Sequence, residues 1–367
     1  MSMNYRSTRT YQPGPRQRSQ APSWLAAGAA LVLLGVVVVW DSGKDSTDQP
    51  STQAGEQIVA SEVSPEVPGV TKFTVVVPDA PIADLVRQVA GPAVYVTAVV
   101  PIGVSGHTYE PRPEDARTMA DADMYIESGL GLNDVVTAFA SSNYPSGTPH
   151  FALAEEIPQA DLIASDSAAQ VASHGHAHSF NAHFWPDPNY AVLYVNRIAE
   201  VLSGFDPSDA DGYSARAASL VAQLQQMDQM FRSAIATIPE QNRKLVVYHD
   251  SWSYFGRRYG LPVVGAIQPT DFSEPSAAEL RATIDQVRAA GVPAFFGSEV
   301  FPSDVLEVIE QESGAEYVAD LSDDRLPGDP GTPVHTYIGM MVANTRAIVT
   351  ALGGDATSLN AIDPAFL

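Results

Sequence analysis

The chain contains no cysteine. That removes disulfides, thiolate metal sites, cysteine nucleophiles and iron–sulfur ligation together, so any bound metal is held by His, Asp or Glu. Basic residues are scarce: 20 Lys and Arg stand against 43 Asp and Glu, a formal net charge of −23 over 367 residues. A nucleic-acid binder is excluded on that balance, because neutralising phosphates needs a basic surface. An acidic surface keeps a protein soluble and attracts cations. No P-loop, no convincing GxGxxG fingerprint, no HExxH and no clear short-period repeat is found. What is present is 45% apolar residues, enough for a sizeable core, in a length that suits about two domains plus extras.

The first seventy or so residues do not read as fold. Residues 1–20 form a basic tail with Arg6, Arg9, Arg16 and Arg18 and no acid. The uncharged run WLAAGAALVLLGVVVVW at 24–40 spans roughly 25 Å as a helix, the short end of a bilayer core. A tryptophan at each end suits the interfacial belts, and the basic residues before the run put the N-terminus in the cytoplasm. A cleaved signal peptide wants an A-x-A pattern after the run, where Asp41-Ser42-Gly43-Lys44 stands instead; a lipid anchor needs a cysteine. Residues 21–40 are thus read as an uncleaved, single-pass signal-anchor in the cell membrane, with cleavage beyond Trp40 the open alternative. Residues 41–71, rich in Ser, Asp, Gln, Pro and Glu, read as a flexible linker with a reach of ~30 Å. The folded part is expected outside the cytoplasm.

From residue 72 strands and helices alternate. Apolar runs at 73–77, 94–100, 124–126, 151–153, 244–248, 263–267, 294–296 and 316–319 read as strands, and the segments between them carry helical periodicity. Over 208–238, Tyr213, Ala217, Leu220, Leu224, Met227, Phe231 and Ile235 recur every three or four residues with no proline until Pro239, predicting one helix about 45 Å long. The expected architecture is α/β: two lobes with parallel sheets joined by one long rigid helix. The lobes are 72–206 and 240–354, the connecting helix 207–239, and 355–367 a tail.

The eight histidines draw attention because ligands in parallel sheets bind beyond the carboxyl ends of strands. His107 lies in the loop after the 94–100 strand and His249 directly follows the 244–248 strand. Glu299 follows the 294–296 strand, and Asp320, Asp323 and Asp324 follow the strand at 316–319. His183 stands in a proline-stiffened turn, NAHFWPDP. A lone loop histidine is more often a hydrogen-bonded surface residue than a ligand, and an Asp before a helix is more often a cap. The alternating His174, His176 and His178 in a Gly/Ala/Ser loop are harder to explain by packing and read as a metal-contacting loop, against a solvated polar loop.

Six segments stand in order: PIGVSGHTYEPRPED (101–115), NAHFWPDP (181–188), VYHDSWSYFGRRYGLPVVG (247–265), SEV (298–300), LSDDRL (321–326) and HTYIGMMVANTRAIVTAL (335–352). Together they resemble the zinc/manganese-type solute-binding proteins of ABC importers, over roughly residues 72–353. The resemblance implies a periplasmic-binding-protein type of fold, hinged through a helical backbone, with metal in the cleft. It places metal ligands at His107, His183, His249 and Asp323, with Asp324 or Asp320 as alternative carboxylates, and cleft or supporting roles at Glu299 and Asp250. The chain departs from the family in lacking the lipid-bearing cysteine of many members, and in approaching the first His through Gly103-Val104-Ser105-Gly106.

Three imidazoles and a carboxylate make a four- or five-coordinate site for a transition metal rather than Ca²⁺ or Mg²⁺. Zn²⁺ is the expected ion, with Mn²⁺ possible. The loop at 174–178 is expected to collect ions, and acid to release them, since imidazole ligates only when neutral. The implied partners are a membrane permease and its cytoplasmic ATPase, the chain itself being a monomer. The rival readings are a membrane-anchored zinc hydrolase, with Glu299 the only obvious base, and a tethered adhesion or scaffold protein. Four protein ligands leave no open position for catalytic water, so no enzymatic activity is expected.

Overall fold

A computed structural model describes residues 61–63, 72–104, 106, 109–164, 180–266, 276–297, 303–319 and 321–365. The basic tail, the apolar run at 24–40 and most of the 41–71 stretch lie outside the described residues. So do His107, Glu299, Asp320 and the loop with His174, His176 and His178. Among the described residues no helix is long and apolar enough to cross a membrane.

The first lobe is a five-stranded sheet of β1 (Ser61–Val63), β2 (Phe73–Val77), β3 (Val94–Pro101), β4 (Met124–Glu127) and β5 (His150–Ala152), in the order β1-β3-β2-β4-β5. The second is a four-stranded sheet of β6 (Leu245–Val247), β7 (Val263–Ala266), β8 (Ala294–Phe296) and β9 (Glu316–Val318), in the order β7-β6-β8-β9. All pairings are parallel except β1 with β3. Without β1 the two sheets share one strand order. The chain reverses direction across the sheet between β2 and β4 in one lobe and between β6 and β8 in the other, the two places where an open α/β sheet leaves a crevice.

The helices follow from periodicity and caps. Asp79 accepts from the Ile82 amide at the start of α1 (Ala80–Ala90), which also has a proline in its first turn. α2 (Pro113–Ala120) and α3 (Asp134–Asn143) cover the far face of the first sheet, and α4 (Pro188–Phe205) leads through a short 3₁₀ turn into α5 (Ala210–Ile235). α6 (Ser253–Tyr259) ends on Gly260 in the left-handed region, φ 70°. α7 (Ala277–Ala290) begins with a capping box of Ser276 and Glu279, and α8 (Ser303–Ser313) and α9 (Tyr337–Ala351) complete the set.

Successive strand residues point to opposite faces, and that alternation divides the core. Val75 and Val77 of β2, Leu245 and Val247 of β6, and Ala294 and Phe296 of β8 enter one core with Leu220, Leu224, Met227 and Phe231 of α5. Val76 faces Met119 and Val136 on the far side of the first sheet. Val246 and Phe295 face Ile284 and Ile309 on the far side of the second. A single apolar core therefore runs through both lobes and the connecting helix. Each such side chain contributes about 1.5–3 kcal/mol when fully buried.

Three expectations about extent are corrected. The connecting helix is 26 residues rather than the whole of 208–238, because Pro207 opens a 3₁₀ turn and the chain leaves the helix at Ala236, before Pro239. The stretch read as linker to residue 71 contains β1, whose backbone pairs with the free edge of β3. The tail at 355–367 contains a 3₁₀ turn, Thr357–Ala361, that buries Leu359.

Candidate metal centre

His249 is delivered by β6, at the crevice of its sheet. His183 comes from the turn before α4, whose entry is fixed by Asp187: its carboxylate accepts from the Asn189 amide, and Pro188 fills the first helical position. Asp323 follows β9. Leu321 N–H donates to Gly297 O (3.1 Å), and buried Ser322 is gripped by Asn344, which accepts from its amide (2.9 Å) and donates to its carbonyl (2.5 Å).

These three side chains converge. One ligand atom from each of His183, His249 and Asp323 lies within 4.8 Å of the other two. The Nε2 atoms of His183 and His249 are 3.2 Å apart. Two nitrogens bound to one ion at ~2.0–2.1 Å stand roughly 3.3 Å apart at a tetrahedral angle, so the pair is already spaced for a shared cation. The tautomer of His183 is set by Asn181, whose Oδ1 accepts from His183 Nδ1 at 3.0 Å and leaves the Nε2 lone pair pointing at His249. Asn181 Oδ1 also accepts the His183 amide (3.0 Å), and its Nδ2 donates to the Asp250 carbonyl (2.8 Å). Trp185 closes the third side: its indole N–H donates to Asp323 O at 2.7 Å.

The remaining sequence candidates separate. Asp324 lines a small cavity with Asp79, Val104, Gly106 and Arg325 and is not in the donor cluster. Asp250 is also outside the cluster; its carboxylate accepts the Ser253 hydroxyl at 2.7 and 2.9 Å. His335 is buried, its Nδ1 3.1 Å from the Pro327 and Gly328 carbonyls. His150 Nε2 lies 2.7 Å from Glu127. Two described residues flank His107 in sequence, Gly106 and Tyr109. A side chain at Gly106 would put its Cβ 2.8 Å from Asn133 Nδ2, and beyond it the Tyr109 hydroxyl donates to Asp115 at 2.5 Å.

Residues that sequence reasoning did not single out shape the site: Asn181, Trp185, Asn344 and Asp79. Asn181 and His183 have the i, i+2 spacing of an Asx turn, which is a usable signal. Asp79 follows β2 at the reversal point of the first sheet and caps α1. It is buried, and its Oδ2 has no hydrogen-bond partner among the described residues. Burial pushes its pKa from 3.8 up to about 7, against the pull of the Ile82 amide, and the Asp323 and Glu127 carboxylates push the same way. The folded form therefore holds a proton that the unfolded chain gives up near pH 4, and stability falls as pH rises from about 4 to about 7. Asp79→Asn, which keeps the helix cap, is expected to stabilise the metal-free protein at pH 8 by on the order of 3 kcal/mol and to change nothing at pH 3.5. Urea unfolding at the two pH values measures this; equal effects at both would mean that Asp79 ionises freely in the fold.

Known proteins resemble the chain over this same region. A profile of the family described as zinc-uptake complex component A, periplasmic (ZnuA), matches residues 75–351. The manganese-binding lipoprotein MntA of Halalkalibacterium halodurans is 26% identical over 283 residues, 77% of this chain and 87% of the relative. The iron-binding protein YfeA of Yersinia pestis is 25% identical over 303 residues, 83% of this chain and 92% of the relative. The solved structure of the periplasmic zinc-binding protein TroA of Treponema pallidum matches with a TM-score of 0.68 and 27% identity, over 77% of this chain and 99% of that one. The two lobes, the parallel sheets and the long linking helix are those of a periplasmic-binding-protein fold, and the family serves transport rather than catalysis. The chain belongs to the ZnuA family, the extracytoplasmic divalent-metal-binding proteins that supply ABC importers.

Proposed function

We propose that the protein captures Zn²⁺ outside the cytoplasm and hands it to the permease of an ABC importer, whose ATPase drives transfer from the other side of the membrane. The observation that carries this reading is the 3.2 Å approach of two imidazole nitrogens beside a carboxylate. His183, His249 and Asp323 are assigned as ligands. His107, two residues before the anchored Tyr109, is assigned as the fourth from its place in the sequence. Glu299 and Asp250 are assigned supporting roles, and His174, His176 and His178 an ion-collecting role, from their places in the sequence. The run at 24–40 anchors the protein to the membrane.

Zinc is preferred on ligand chemistry. An imidazole-rich set favours Zn²⁺, and intrinsic affinity places Zn²⁺ above Fe²⁺ and Mn²⁺. Mn²⁺ or Fe²⁺ is the second reading, supported by the two relatives named for manganese and iron binding. Metal titration of the purified protein tests the proposal. The expected result is one tight equivalent of Zn²⁺, held at least ~100-fold more tightly than Mn²⁺ as the affinity order of divalent ions implies, without hydrolytic turnover. Tighter binding of Mn²⁺ or Fe²⁺ would replace zinc with the second reading. Absence of tight binding would leave the site without its cargo.

A further inference from the structure

α6, the short helix directly after the His249 loop, reaches across to the chain that carries His183. The Tyr254 hydroxyl donates to the Asn181 carbonyl (2.8 Å) and accepts from the Ile163 amide (3.0 Å). Arg257 donates to the Asp161 carbonyl (2.8 Å) and to the Tyr190 hydroxyl (2.6 Å). Arg258 lies at the centre. Its Nε and Nη2 donate to the two oxygens of Asp228 on α5 at 2.7 and 2.8 Å, and its Nε is 3.3 Å from Asp187 Oδ1. Tyr259 also donates to Asp228 (2.8 Å), and Arg232 approaches it to 3.3 Å.

One guanidinium thus joins the stem of the His183 turn, the helix that follows His249 and the connecting helix. The three charged side chains are 11%, 6% and 15% exposed for Arg258, Asp187 and Asp228. Charges buried to this degree lose much of their hydration, and a well-packed apolar group often serves stability as well or better. What such a network supplies is directional: a bidentate fork fixes an angle as well as a distance. The electrostatics agree. Burial pushes Asp228 up, but the hydrogen bonds from Arg258 and Tyr259 outweigh it and hold its carboxyl below the usual range. Burial pushes Asp187 to about 6 although Arg258 pulls it down.

We infer that Arg258 is a positioning residue for metal binding: through Asp187 and Asp228 it fixes the His183–His249 pair as a preformed half of the site. The imidazole pair then holds its 3.2 Å spacing before any ion arrives. This rests on the assignment of His183 and His249 as ligands.

The test uses Co²⁺ in place of Zn²⁺, since its visible absorption reports ligand geometry, with dissociation timed into excess chelator. Arg258→Met is expected to raise the dissociation rate by about tenfold or more, in the range seen for loss of an outer-sphere partner, and to shift the Co²⁺ bands. Asp187→Asn keeps the cap of α4 and removes only the ionic partner. It is expected to shift the bands in the same direction with a rate increase of about threefold, and it serves should Arg258→Met not fold. A folded variant with wild-type bands and a rate within twofold of wild type overturns the inference, because a merely structural role lowers the melting temperature without moving either reading. His249→Ala is the control. If its Co²⁺ bands match those of the wild type, the ligand assignment fails and the inference with it.

Discussion

His249→Ala lowers Zn²⁺ affinity by on the order of 10³-fold or more, well beyond the 10–100-fold typical of outer-sphere partners. His249 and His183 present their Nε2 atoms to one point, so losing one imidazole removes half of the spaced pair. Water can take the empty coordination position but does not restore a neutral nitrogen donor held in place by the fold. His249 is also only half-buried, so alanine leaves little cavity and the fold stays intact. Replacing His174, His176 and His178 together with glutamine is expected to leave the tight equivalent within about threefold, because collecting residues raise local capture rather than coordinate the retained ion. Competition titration against a chelating dye measures both variants. Near-equal losses would falsify the division between ligands and collecting loop.

The two histidines were legible in the sequence for different reasons. His249 directly follows the apolar run LVVY, and the rule that parallel sheets bind ligands at strand ends points to it without further help. His183 ends no strand; only the resemblance of NAHFWPDP to a family segment singled it out. Asp323 was chosen over Asp324 on the same basis, and the structure brings Asp323 to the imidazoles while Asp324 faces the adjacent cavity. The supporting groups were not legible. Asn181 meets the Asp250 carbonyl across 69 positions, and Trp185 meets the Asp323 carbonyl across 138. Such bonds carry no periodicity. They depend on which loops the two sheets bring face to face.

The fold shows a similar division. Periodic segments such as 213–235 read as a helix because their apolar stripe repeats along one face, and tertiary packing against Phe255 and Tyr259 preserves it. β1 has only three residues inside a polar stretch, too short to show alternation, and exists through the backbone groups of β3. The shared strand order of the two lobes left no trace as a sequence repeat. Topology constrains where apolar residues fall along each strand, not which apolar residues they are, so two halves with one architecture need not resemble each other in sequence.

His249→Glu narrows the preference for Zn²⁺ over Mn²⁺ by on the order of 10²-fold, since ligand type sets selectivity among divalent ions of differing intrinsic affinity. An oxygen donor suits Mn²⁺, whereas Zn²⁺ loses an imidazole it binds well. The exchange has a cost in the metal-free state. A new carboxylate beside Asp323, close to the buried Asp79, adds like-charge repulsion to a crevice where burial already pushes Asp79 up to about 7. The metal-free variant should therefore melt below the wild type at pH 8, and the gap should shrink toward pH 5 as the carboxyls take up protons. Saturating Mn²⁺ should raise its melting temperature more than that of the wild type, because an ion that binds only the folded form stabilises in proportion to the logarithm of its affinity. Thermal unfolding with and without each ion, read beside competition titrations, gives the ratio directly. An unchanged Zn²⁺/Mn²⁺ ratio would mean that selectivity is set by how tightly the clasped loops hold the crevice rather than by the donor atom at position 249.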